Sequence, residues 1–200
     1  IFSEVMFFGA FFGALFYARN LSVPWLGGEG AKAAANFLWQ GYENAWQTNG
    51  PAHIGGAYET IPAWGVPFLN TILLLSSGVT ITLAHHALKE NHRKACIAWM
   101  WATVGFGAAF LFLQAIEYHH AYTELNLTLG SGVYGSTFFM LTGFHGMHVT
   151  LGTIMLTVIT LRLMNGHFKP DSHFGFEGVA WYWHFVDVVW LGLFIVVYWL

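Results

Sequence analysis

One cysteine, Cys96, is the only thiol in the chain, so an internal disulfide and any paired-cysteine redox or metal site are excluded at once. It sits in an apolar run and reads as a packing residue. Charge is nearly as sparse. Asp, Glu, Lys and Arg make up 8% of the 200 residues, against about 25% in a soluble domain. The Lys and Arg residues number 7 and form no basic patch, which leaves no footprint for a nucleic acid. A net charge of -3 favours no particular partner. Proline occurs only 5 times, and Pro24, Pro51, Pro62 and Pro67 fall in or beside one long connection. What is abundant is apolar: 56% hydrophobic, 18% aromatic and 23 glycines, with a mean hydropathy of +0.53. Trp and Tyr mark membrane interfaces, and Gly lets helices approach closely. The fold class is all-α, a polytopic transmembrane helix bundle.

A helix needs about 20 apolar residues to cross the hydrocarbon core. Residues 1–18, 67–88, 95–118, 133–163 and 179–200 meet that length, giving five expected spans. Residues 19–66 are expected to form the one large loop, with a short helix around "AKAAANFLWQGYENAW". The other connections are short, so residues 1–200 are expected to form a single bundle. The chain opens at Ile1 without Met, inside an apolar run, so the first span is expected to be cut short. The fourth is long enough to tilt or project. "GAFFG", Gly9 to Gly13, is a GxxxG that is either a packing face or ordinary membrane composition. Lys89, Arg93, Lys94, Arg162 and Lys169 lie on one side, and Arg19 and Lys32 on the other. The positive-inside rule makes the first side cytoplasmic (or matrix) and puts the C-terminus, Leu200, outside.

Ionisable residues inside such spans are costly, about 2.5–3.5 kcal/mol for an Asp at a helix centre. At 1.5 Å rise per residue, Glu4 and His148 lie roughly 21–22 Å from the outer surface, and His184 and Asp187 roughly 18–22 Å. Glu4, His145, His148, His184 and Asp187 therefore share one expected polar layer. Three readings compete for it. His145, His148 and His184, with Glu4 or Asp187, offer a haem or metal ligand set. A carboxylate beside His can relay protons. Or the groups hydrogen-bond one another and fix helix register. Nearer the inner surface, His85, His86, Glu90 and His92 form a cluster able to pass or buffer protons, or an ordinary solvated helix end.

Six motifs then stand in order: "SEVMFF" (3–8), "LLLSSGVTITLAHHAL" (73–88), "VYGSTFF" (133–139), "FHGMHV" (144–149), "HFGFE" (173–177) and "WYWHFVDVVWL" (181–191). Together they resemble cytochrome c oxidase subunit III of the haem-copper oxidases, and the chain resembles the last five of that family's seven spans. Only residues 20–62 lack a clear counterpart. The resemblance implies an accessory subunit of an aerobic respiratory complex with no catalytic residue, haem or metal of its own. Haem and copper belong to partner subunits I and II. It implies a bacterial inner membrane or a mitochondrial inner membrane, bound phospholipid, and support of proton uptake by subunit I. Residue by residue, it implies that Glu4 is the family's buried carboxylate, that Arg162 binds a lipid phosphate, and that Phe12 lines the lipid cleft. His184 and Asp187 then become a structural pair. Subunit III of a quinol oxidase is the neighbouring reading, against which "HFGFE" and the Tyr of "WYWHF" count. A stand-alone membrane haem protein using His145 and His184 is the alternative of a different class.

Overall fold

The computed structural model describes all residues, Ile1–Leu200. Five helices are long and apolar enough to cross a membrane: α1 Phe2–Leu26, α2 Val66–Lys89, α3 Arg93–Thr123, α4 Gly132–Met164 and α5 Phe174–Trp199. The only β pairing is an isolated bridge between Lys169 and Ser172. Every expected span lies on one of these helices. The helices reach further than the apolar windows because a hydrogen-bonded ladder does not end where hydrophobicity does. The largest difference is in α1, expected to stop at residue 18 and in fact running on to Leu26. Pro24 has no N–H and its ring crowds the carbonyl one turn earlier. A wider π turn at Ala18–Ser22 absorbs that defect without breaking the helix.

Backbone contacts group the chain into two compact units, Ile1–Ile61 with Tyr118–Phe144, and Pro62–Glu117 with His145–Leu200. In the first unit, Phe7 packs its ring against Phe8, Phe11 and Phe144 at 5.6, 5.0 and 4.9 Å. The GxxxG glycines do not serve packing within the chain. A Cβ added at Gly9 or Gly13 would meet nothing within 4 Å. The short helix expected in the loop is a 3-10 helix at Ala33–Leu38. Asn36 organises the chain around it by donating Nδ2 to the carbonyls of Leu26 (2.8 Å), Tyr42 (3.3 Å) and Trp39 (3.4 Å). Lys32 lies over the Trp25 ring and Arg19 over the Trp46 ring, so both cations of this loop region rest on aromatics. Gly132 has φ +68°, and a Cβ there would lie 2.4 Å from the Asn49 carbonyl oxygen, so no other residue fits that turn. Tyr58 stacks on Tyr134 at 5.9 Å. Burial, aided by the neighbouring Tyr42, pushes its phenol up to about 12, so it stays neutral wherever the loop is folded.

The second unit is built around two tryptophans of α5. Trp183 and Trp190 are fully buried and donate Nε1–H to Ser77 Oγ (2.8 Å) and Thr71 Oγ1 (2.9 Å) of α2. A buried indole needs such a partner, and α2 supplies one at each level. Thr80 and Thr103 join α2 to α3 at 2.8 Å. The Trp183 ring fits because α3 and α4 present glycine to it. A Cβ on Gly107 or on Gly152 would lie 2.8 Å from the indole. Phe110 closes the core edge-on to Trp190, with ring centroids 4.7 Å apart.

Candidate functional site

The polar residues of the second unit fall into three places rather than one layer of direct contacts. In the middle, His145 is fully buried, with the rings of Phe110 and Trp190 packed on it at 5.6 and 5.0 Å. Its Nε2–H donates to the Val186 carbonyl at 3.2 Å. That bond and the two aromatic rings fix the imidazole in place, while its Nδ1 has no hydrogen-bond partner. One turn on, His148 stacks with Tyr182, whose hydroxyl donates to the His148 carbonyl at 3.4 Å. Both histidines thus address α5, at Val186 and Tyr182. Glu4 and Phe12 lie on α1 in the first unit, both half-buried. Ser3 Oγ lies 3.5 Å from Glu4 Oε1.

His184 and Asp187 face α2. His184 Nδ1 is 3.9 Å from Asp187 Oδ2, a loose ionic contact outside hydrogen-bond range. Thr82 Oγ1 sits 3.5 Å from His184 Nε2. Both residues line a groove of about 390 Å³ with Leu75, Gly78, Thr82 and Val188. Asp187 Oδ1 has no hydrogen-bond partner. Asp187 lies close to α2 because residue 78 is glycine: a Cβ there would be 2.5 Å from Asp187 Oδ2. A tight structural pair would make Asn at 187 better tolerated than Leu. The geometry predicts otherwise for the solubilised chain. Leu removes a desolvated carboxyl that makes no compensating bond, and such replacements are neutral or stabilising. Thermal unfolding of Asp187→Leu and Asp187→Asn should match the parent or exceed it. A marked loss for Leu alone would reveal a hydrogen bond that this geometry lacks.

At one end of the unit, the cluster expected from His85, His86, Glu90 and His92 divides. Glu90 pairs with His92 at 3.3 Å on the exposed α2–α3 turn, and His86 is exposed. His85 instead meets the start of α5. Its Nε2 lies 3.3 Å from His173 Nε2 and 3.4 Å from Glu177 Oε1. His173 Nε2 and Glu177 Oε1 are 3.1 Å apart. This is the unit's one grouping of three potential metal-donor side chains. From sequence, His173 and Glu177 are the two ends of the "HFGFE" motif and not site candidates. Their i,i+4 spacing at a helix start was the available signal, but His85 comes from 88 positions away. At the same end, the Arg93 guanidinium donates to the Leu163 carbonyl, closing the C-terminus of α4 where a cation is favoured. Arg162, exposed, lies with its guanidinium 5.1 Å from the centroid of the Phe168 ring. The α2–α3 and α4–α5 connections therefore meet at one end of the unit. On α3, Glu117 is buried and accepts a 2.6 Å hydrogen bond from the Tyr198 hydroxyl of α5.

Fold and site together define a polytopic helical membrane protein whose ionisable groups sit in a groove and at helix ends. The sequence profile of cytochrome c oxidase subunit III matches residues 46–200. Among curated relatives, cytochrome c oxidase subunit 3 of Dugong dugon is 44% identical over 199 residues, 100% of this chain and 66% of the relative. The same subunit of Gadus morhua is 45% identical over 197 residues, and that of Gallus gallus 43% over 197, each covering 98% of this chain and 65% of the relative. The chain belongs to the cytochrome c oxidase subunit III family. It spans 66% of the length of the first of these relatives. The alignment also runs through the loop at 20–62, which none of the motifs had reached.

Proposed function

We propose that this chain serves as the accessory subunit III of a cytochrome c oxidase complex, beside partner subunits I and II that hold the haem and copper. The complex takes electrons from cytochrome c, reduces O2 to water and translocates protons across a respiratory membrane. The observation that carries this reading is 44% identity over 199 residues, through all five apolar helices. The side chains fit an accessory role. The chain has one cysteine, and His145 is enclosed by Phe110 and Trp190 with its Nε2–H on the Val186 carbonyl, which supports an accessory role. The charge count supports an inner position for the end bearing His85 and Arg162, and an outer position for Leu200. His85, His86, Glu90 and His92 then stand where protons enter the neighbouring subunit.

The test is co-purification of the full-length protein from membranes in mild detergent. Chains carrying haem and copper are expected to elute with it, and the Soret band should stay with them once this subunit is stripped away. A Soret band that follows the stripped subunit would overturn the accessory reading, and elution without any haem-bearing chain would overturn membership of the complex.

The proposal extends to phospholipid bound through its phosphate at Arg162 and, separately, to Phe12 as an aromatic lining a lipid cleft. A guanidinium forks onto phosphate oxygens, and Arg162 is exposed at the end of the long helix α4. Arg162→Ala is expected to lower the phospholipid retained by the purified complex, with Arg162→Lys intermediate because an ammonium lacks the fork. Initial oxidase turnover should be unchanged in both. Lipid mass spectrometry showing equal retention in all three proteins would count against this role.

A further inference from the structure

We propose that His85, His173 and Glu177 form a binding site for a divalent transition-metal ion of the Zn2+ type, with water completing the coordination. The three donor atoms make a near-equilateral triangle with sides of 3.3, 3.4 and 3.1 Å. A tetrahedral Zn2+ has bonds of about 2.0–2.2 Å, and the edges of that tetrahedron are about 3.3–3.6 Å. The observed triangle is one face of such a tetrahedron to within a few tenths of an ångström. The three donor atoms already stand at ligand spacing.

The protonation of His173 follows from its backbone contact. His173 Nδ1 lies 3.2 Å from the Lys169 carbonyl. A carbonyl only accepts, so Nδ1 carries the proton, and in the neutral ring Nε2 is a bare lone pair. That lone pair points at a carboxylate oxygen 3.1 Å away and at the His85 Nε2. A His85 Nε2–H can donate to Glu177 Oε1 or to the bare His173 Nε2, and an ion in place of that proton would engage all three donor atoms at once. The Nδ1–H to carbonyl contact is also the outer-shell bond that metal-ligating histidines use to fix ring orientation. Its acceptor is held in turn. The Lys169 carbonyl and amide both pair with Ser172, which forms the small turn that leads into α5. On the other side, the His85 ring rests against buried Phe176, with centroids 5.6 Å apart.

Two imidazoles and one carboxylate select a borderline cation. Ca2+ and Mg2+ prefer all-oxygen shells, and thiolate-seeking ions find no sulfur here. Entry is open, since the side chains of His85 and Glu177 remain 25% and 39% exposed. Ion binding follows from these three side chains whether or not the chain sits in an oxidase, so failure of one proposal leaves the other standing. An ion here would pin the end of α2 to the start of α5.

The experiment uses the full-length protein in its purified complex, stripped with chelator and titrated with Zn2+ alone. Zn2+ bound at equilibrium should fall by one equivalent per chain in His173→Ala and His85→Ala, each with affinity at this site reduced by about 100-fold or more, beyond the loss of a mere supporting contact. Glu177→Gln, which keeps size and shape, should weaken binding by about 10-fold or more. His86→Ala and His92→Ala, which alter neighbouring histidines outside the triangle, should leave the equivalent in place. If Glu177→Gln retains the full complement of Zn2+ at unchanged affinity, or if His86→Ala loses as much as His85→Ala, the site is not there.

Discussion

Gly152→Val is expected to lower the stability of the solubilised chain by about 1–3 kcal/mol or more, the cost of inserting atoms into a filled core. A Cβ at residue 152 would sit 2.8 Å from the Trp183 indole and 3.4 Å from the Tyr182 ring. The indole has nowhere to go. It is fully buried, its Nε1–H is bonded to Ser77, and Gly107 borders it 2.8 Å from where a Cβ would stand. The rescue separates steric conflict from loss of helix quality. In a Trp183→Leu background, Gly152→Val should cost far less, because the smaller side chain leaves room for the new methyl groups. Thermal unfolding of the two single variants and the double gives the coupling, expected between about 0.5 and 3 kcal/mol. Additive losses would mean that Gly152 does not act through Trp183.

The second large effect is at the far end of α5. Tyr198→Phe should destabilise the chain by about 1–3 kcal/mol, because the hydroxyl is the donor to a buried carboxyl. Glu117 Oε1 accepts that 2.6 Å bond, and Oε2 has no hydrogen-bond partner, so no second donor stands ready to replace it. Deleting one partner leaves a desolvated polar group, whereas deleting both need not. Tyr198→Phe combined with Glu117→Met should therefore recover most of the loss. Denaturation showing the double variant at or below the single would argue that the hydroxyl stabilises something other than Glu117.

Both predictions concern residues whose importance is invisible along the chain. Gly152 is one of 23 glycines, and nothing in its neighbours marks it out from Gly9 or Gly13, which form the recognisable GxxxG and yet leave open space where a Cβ would stand. Periodicity locates an apolar helix, but it does not say which face meets which neighbour. The polar layer shows the same limit. Depth follows from a rise of about 1.5 Å per residue, and it says only which residues of different helices share a level. Rotation about each helix axis then decided the partners of His145 and His148, Val186 and Tyr182 rather than Asp187.

By itself the sequence determined the class of the protein and its five apolar helices, because a shortage of charge over about 20 residues at a time leaves lipid as the only suitable surroundings. Six short motifs in order were enough to place its family. The tertiary structure alone decided which ionisable groups meet. His85 left the cluster of its sequence neighbours to join His173 and Glu177, and Asp187 came to rest against Gly78 with its imidazole neighbour 3.9 Å away. The physical reason is range. Local spacing fixes contacts within one or two helical turns, whereas side chains about 90 positions apart meet only after whole helices have packed around their bulkiest residues, here Trp183 and Trp190.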